Sequence, residues 1–228
     1  MRIYILTIFP EVFTYFDVSI IKRAKEKGII EINVLDLRIF SKDKHKKVDD
    51  KVYGGGKGMV LMCQPIFDGV EFLKKENKDA KVILTTPQGK LYNQEMAKEL
   101  SKEKSLIIIC GHYEGVDERV TKICDYEISI GDYILTGGEI PAMVIVDSVI
   151  RLLPGVLPEK VPVFDSFYNS IFDWPVYTRP ENFRGMKVPE ILLSGNHKKI
   201  EKYRKEKAIE KTKEKRPDIY KKYGGRNE

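Results

Sequence analysis

Several groups of residues in the chain have types and spacings that could do chemistry. The glycine-rich run YGGGKG at Tyr53–Gly58 is of the kind that cradles a phosphate. It lacks the Lys-Ser/Thr ending of a nucleotide-binding loop and follows no expected strand, so it reads as a flexible turn. No GxGxxG fingerprint occurs, which disfavours nicotinamide and nucleoside-triphosphate chemistry. His45, His112 and His197 lie far apart, and none belongs to an HxxxH or Cys/His cluster of metal-ligand spacing. Asp49-Asp50 could meet magnesium, but an acidic pair on a basic loop is ordinarily salt-bridged. Ser194 in LLSGN has no nucleophile elbow around it, and Cys110 ends an apolar run where a thiolate would be costly.

Two further groups carry more. In GHYEGVDER, Glu114, Asp117, Glu118 and Arg119 crowd a strand-to-helix transition. Asp117 and Glu118 read as helix N-terminal acids complementing the dipole. Glu114 precedes a glycine at a strand's end, where facing a ligand and facing solvent are equally open. Arg151 falls in the last turn of an apolar helix and Asp165 before Ser-Phe in a proline-rich stretch. By residue type alone, the favoured roles are a C-terminal dipole partner and a helix N-cap.

The elements that must position these groups alternate between strand and helix. Arg2–Phe9, Ile29–Leu37, Lys81–Thr86 and Leu106–Cys110 read as strands. Pro10 to Lys27, Pro65–Asn77 and Asn93–Glu103 read as helices, and Asp117–Cys124 as a short one. Residues 38 to 63 form a long irregular segment, and structureless loops of that length are uncommon unless functional or disordered. The stretch YEISIGDYILTGGEIPAMVIVDSVIRLLPGVL, Tyr126–Leu157, begins with strand-forming Ile128, Ile130, Tyr133 and Ile134. It passes Gly131 and Gly137-Gly138 before Pro141 opens a helix from Ile140 to Leu153, greasy enough for a core or a subunit interface. Apolar strands without polar alternation imply a mostly parallel sheet with helices on both faces. Ligands of such sheets sit outside the carboxyl ends of the strands. Thr86-Pro87-Gln88-Gly89, Gly111 to Gly115, and Gly131 to Gly138 all fall there.

Composition bounds the partners. The net charge of +6 is concentrated in the tail, where Gly195–Glu228 holds 13 Lys/Arg against 6 Asp/Glu. That is the footprint of a phosphate-backbone partner, or else of a solvated helix with pairs such as Glu201–Lys205. The 3 cysteines are unpaired in spacing and suit a reducing cytoplasm. No apolar run approaches the roughly 18 residues of a membrane span.

SIGDYILTGGE, with CGHYEGVDER upstream and DSF downstream, closely resembles the bacterial tRNA (guanine-N1)-methyltransferases of the SPOUT class. The resemblance runs from IFPEVF through YGGGKGM and TPQG to YTRPENFRGMKVPEILLSGNH, nearly the whole chain. It implies methyl transfer from S-adenosylmethionine to N1 of the guanine beside the tRNA anticodon, position 37, by a cytoplasmic homodimer with shared active sites. A C-terminal trefoil knot in the α/β domain is implied, and the partner is tRNA rather than DNA or a membrane. The implied layout is a cofactor domain over 1–157, a linker over 158–171 and a small basic helical tRNA-binding domain over 172–228. The cofactor contacts fall on Thr86, Pro87, Gly111, Tyr113, Glu114, Ile130, Gly131, Asp132, Tyr133, Ile134, Leu135, Gly137, Gly138 and Pro141. The general base falls on Asp165 and the essential arginine on Arg151. The family also uses magnesium (Mg2+), for which the sequence shows no ligand cluster. Lys57 stands where many relatives have proline, and the tail lacks the acidic, glutamine-rich extension of some relatives.

Overall fold

Two strands show why the sheet forms. In β1 (Arg2–Thr7), Ile3 and Ile5 enter one apolar cluster while Tyr4 and Leu6 enter another. In Ser105–Cys110, Leu106, Ile108 and Cys110 join the first cluster, and Ile107 and Ile109 the second. A strand covered on both faces needs apolar residues at every position, and parallel sheets supply that environment.

The structure is a computed structural model that describes residues 1–56, 58–158, 165–168 and 171–223. After β1 come α1 (Ser19–Glu26), β2 (Glu31–Asp36), β3 (Asp49–Lys51), β4 (Met59–Leu61) and α2 (Cys63–Lys74). They are followed by β5 (Lys81–Leu91), α3 (Gln94–Leu100), β6 (Ser105–Cys110), β7 (Tyr126–Ser129) and α4 (Glu139–Ile150). Five strands form one sheet in the order β2-β1-β6-β5-β7, every pairing parallel. Residues from α1, α3 and α4 fill the cluster on one face, and residues from α2, with Val120, the cluster on the other. This is the expected α/β architecture.

Four local expectations need correction. The helix expected from Pro10 to Lys27 is two pieces, a 3₁₀ segment over Pro10–Asp17 and then α1. Phe13 and Phe16 are both buried, and a three-residue turn puts them on one side, whereas Val18 is extended and Ser19 has a φ of 54°. β5 does not stop at Thr86 but continues to Leu91 through an irregularity, its register with β7 shifting between Thr85 and Lys90. Gly89 permits this, because a Cβ there would sit 2.6 Å from the Glu127 carbonyl oxygen. β7 ends at Ser129, so Ile130, Tyr133 and Ile134 lie in a loop. The Ser129 hydroxyl donates to the Gly131 carbonyl at 3.1 Å and accepts from the Gly131 N–H at 3.3 Å. A local side-chain turn thus replaces the ladder. The long segment after residue 38 is not structureless either, since β3 and β4 pair antiparallel within it.

The chain divides into two compact units, Met1–Leu157 and Pro158–Glu228. The second holds a two-stranded hairpin, β8 (Asn182–Phe183) and β9 (Met186–Lys187), and the helices α5 (Glu190–Leu193), α6 (His197–Lys215) and α7 (Pro217–Tyr223). The Asn196 side chain caps α6 by accepting the Lys199 N–H at 3.1 Å. On α6, Ala208 and Thr212, one turn apart, are buried. Within the expected linker 158–171, residues 159–164 and 169–170 lie outside the described residues, as does Lys57.

Candidate active site

β6, β5 and β7 are neighbours in the sheet, so their carboxyl ends open side by side. Their loops are stitched together by backbone hydrogen bonds. The Gly138 N–H donates to the Gly111 carbonyl at 2.8 Å, and Gly137 makes an antiparallel bridge with His112. The buried Thr85 hydroxyl lies 3.1 Å from the Ile109 carbonyl and 3.3 Å from the Gly138 carbonyl, sharing one proton between adjacent elements.

The two glycines are needed for room rather than for unusual torsions. A Cβ on Gly138 would overlap the Thr85 hydroxyl oxygen and sit 2.7 Å from the Gly111 nitrogen. One on Gly137 would overlap Oε2 of Glu139 and sit 2.7 Å from Nδ1 of His112. Glycine at such points marks close approach of one backbone to another. Glu139, buried at the start of α4, accepts the Thr7 hydroxyl at 2.8 Å, tying the end of β1 into the same cluster.

The expected site residues fall as follows. Thr86 and Pro87 lie on the continued part of β5, Thr86 half-buried and Pro87 exposed. Tyr113 has a φ of 57° and turns its ring edge-on to His112 at 4.7 Å. Its backbone bridges Val60, and the Glu114 N–H donates to the Met59 carbonyl at 3.0 Å, so β4 holds this loop in place. A Cβ on Gly58 would sit 2.6 Å from Oε1 of Glu114, so the glycine run, read from sequence as a loose turn, ends packed on that carboxylate. Asp132, Tyr133, Ile134 and Leu135 are exposed, with the Tyr133 hydroxyl donating back to the Ile130 carbonyl at 3.2 Å. Pro141 is buried in the first turn of α4. All of these lie on the stitched loops or beside them.

The two candidate catalytic groups belong to other elements. Arg151 is the C-cap of α4, at the far end of that helix from Gly138. Thirteen steps of about 1.5 Å separate them by about 20 Å along the axis. Asp165 belongs to the second unit, where its carbonyl accepts the Tyr168 N–H at 3.2 Å in a turn. No helix starts at Asp165 among the described residues, so it is not the N-cap its residue type suggests.

Other candidates resolve into structure. Burial, and then the charge of Glu139, pushes the Cys110 thiol well above its ordinary range, which removes it as a nucleophile. Asp117 caps the 3₁₀ segment Glu118–Ile123 and holds Arg119 at 2.6 Å; that hydrogen bond is the main cause of its lowered pKa. Asp50 pairs with Lys47 at 3.2 Å. Among the described residues no group of three or more His, Cys, Asp or Glu could hold a metal ion. Thr85 and Glu139 were not expected in the site. In sequence, one is a threonine in a strand and the other an acid at a helix start, and neither signals its contacts.

An open parallel sheet with glycine-built loops at adjacent strand ends defines an α/β ligand-binding domain of the enzyme type. A family model described as tRNA (Guanine-1)-methyltransferase TrmD matches residues 1–222, and the chain belongs to that family, which is of the SPOUT class. The chain is 58% identical over 224 residues to a tRNA (guanine-N(1)-)-methyltransferase of Dictyoglomus turgidum, covering 97% of this chain and 91% of the relative. It is 56% identical over 223 residues to the Clostridium beijerinckii protein of that name, covering 97% and 93%. To that of Clostridioides difficile it is 53% identical over 227 residues, covering 97% and 98%. It is a tRNA-modifying methyltransferase acting on guanine N1.

Proposed function

We propose that the protein methylates N1 of guanine 37, beside the anticodon, with S-adenosylmethionine held by the loops after β5, β6 and β7. The observation that carries this reading is the stitching of Gly111, Gly137 and Gly138 at adjacent strand ends. The residues there suit an adenosyl group. Tyr133, Ile134 and Leu135 offer exposed apolar surface beside backbone turns, and Nδ1 of His112 is buried without a hydrogen-bond partner. When bound, the cofactor supplies an electrophilic methyl group on a sulfonium.

The protein's own task is to make guanine N1 nucleophilic. In neutral guanine that nitrogen carries a proton. Asp165 accepts it, a contribution of about 10²–10⁴-fold for a positioned base. Negative charge then spreads onto O6, where the Arg151 guanidinium stabilises it, and losing one such donor costs about 10²–10³-fold. Magnesium enters no step of this scheme.

Arg151 lies a helix length from Gly138, so a site shared between two copies is the economical arrangement. α4 supports it. Ile140 and Val144, one turn apart, are exposed at 50% and 40%, and Tyr15 bonds Asp147 one turn further at 2.6 Å. An exposed apolar stripe on an otherwise buried helix marks an interface. In this homodimer, residues 1–157 hold the cofactor in a trefoil knot and 172–228 grip tRNA, in the cytoplasm where tRNA is found.

The test is transfer from labelled S-adenosylmethionine to tRNA bearing guanine or adenine at position 37, followed by nuclease digestion and mass spectrometry. N1-methylguanosine from the guanine substrate alone is the expected result. Label at another guanine would point to a different knotted RNA methyltransferase, and cofactor binding without label to an RNA-binding relative.

A further inference from the structure

Asp165 is followed by a turn that closes on itself. The Ser166 hydroxyl donates to Oδ1 of Asp173 at 2.8 Å, and the Asp173 N–H donates back to Ser166 Oγ at 3.1 Å. Inside that pair the Phe167 N–H meets the Ile171 carbonyl at 2.8 Å, and the Phe167 and Phe172 rings pack edge to face at 5.4 Å. Phe167 does this with a φ of 70°. A bulky side chain adopts that conformation only where its surroundings over-determine it.

The closed turn is fastened to α6 at two adjacent residues. Lys211 Nζ lies 3.3 Å from Oδ1 of Asp173 and 3.4 Å from its carbonyl oxygen. The Phe172 N–H donates to Thr212 Oγ1 at 3.0 Å, and that hydroxyl donates in turn to the Ala208 carbonyl at 2.7 Å. Thr212 has no exposed surface, although it sits on a helix with ten Lys, Arg or His and four Glu among its 19 residues. Valine would fill the same volume there. The hydroxyl adds an acceptor for a part-buried amide that would otherwise have none from this helix. The Lys211–Asp173 pair is about a third exposed and is therefore the weaker, salt-screened fastening.

We propose that Thr212, Lys211 and Asp173 are positioning residues for methyl transfer, mounting the Asp165 turn on the basic helix α6. RNA phosphates held by the exposed lysines of α6 and the carboxylate that meets the guanine then share one rigid frame. The proposal rests on the reading of Asp165 as general base.

The test uses the full chain and single-turnover methylation of tRNA, with tRNA affinity from filter binding and cofactor affinity from calorimetry. Thr212→Val lowers the single-turnover rate by about tenfold or more, since misplacing a reacting group by about 1 Å can cost about 10²-fold. Both affinities stay at their wild-type values, and Thr212→Ser restores the rate. Lys211→Met shows a smaller loss that high salt reproduces in the wild type. A wild-type rate for Thr212→Val, no rescue by serine, or a parallel loss of tRNA affinity overturns the proposal. If Thr212→Val fails to fold by circular dichroism, Asp173→Asn and Lys211→Met decide by the same readouts. Asp165→Ala is run alongside. If it keeps the wild-type rate, the base assignment falls and the proposal with it. If Asp165→Ala is slow and Thr212→Val is not, only the positioning role fails.

Discussion

The N–H of Gly138 donates to the carbonyl of Gly111 at 2.8 Å, joining the first turn of α4 to the end of β6. Gly138 cannot carry a side chain without parting the loops. A Cβ on Gly138 would overlap the Thr85 hydroxyl and lie 2.9 Å from Cα of Cys110, and backbone cannot yield as a side chain can. Gly138→Ala is therefore expected to weaken S-adenosylmethionine binding at least tenfold by calorimetry, at a stability cost of about 1–3 kcal/mol. Wild-type affinity in a folded variant would remove these loops as the binding site.

Gly58 makes a comparable demand on Glu114. Its φ of 89° is one that only glycine takes easily, and a Cβ there would sit 2.6 Å from Cγ of Glu114. Gly58→Ala should therefore copy the kinetic defect of Glu114→Gln, and the double variant should be no worse than either. Additive losses would show that the glycine acts on something else.

How much of this was legible in the sequence follows from the range of each interaction. The sheet was readable because β1 and β6 carry unbroken apolar runs, Ile3–Leu6 and Leu106–Cys110, a signal contained in each segment alone. The three strand ends were readable because proline and glycine punctuate them. The break at Val18 was not, since Phe13 and Phe16 fit a helix and a 3₁₀ turn equally well until packing chooses. Nor was the continuation of β5, which depends on Gly89 lying against Glu127 in a strand 38 residues away. Gly54 and Gly55 do lie in open space, as a loose turn would, but the contact of Gly58 with Glu114 was not readable because the two are remote in sequence. For Asp165 and Arg151 the residues alone favoured caps, and only family resemblance gave them a catalytic role.

Two copies should be needed for turnover. Val144→Glu puts a charge on the exposed apolar stripe of α4 and is expected to yield monomer by sedimentation, with methyl transfer lost. Asp165→Ala and Gly138→Ala, each impaired alone, should recover activity when mixed and allowed to exchange subunits. Without recovery, the site is complete within one chain.

Tyr92 links stability to alkaline pH. Burial raises its phenol to about 12, and its hydroxyl lies 2.6 Å from that of Ser148. The unfolded value is about 10. Because the folded value is the higher, the stabilisation is complete below about pH 10 and is lost as pH rises toward 12. The urea midpoint of the wild type should fall across that window more steeply than that of Tyr92→Phe. Parallel curves would mean that Tyr92 does not ionise with unfolding.

The most direct measurement of the central claim is a crystal structure of the full chain with S-adenosylmethionine bound. The account predicts the donor against the backbone of Gly111 and the Ile130–Gly138 loop. A donor lodged at any other part of the sheet would contradict it.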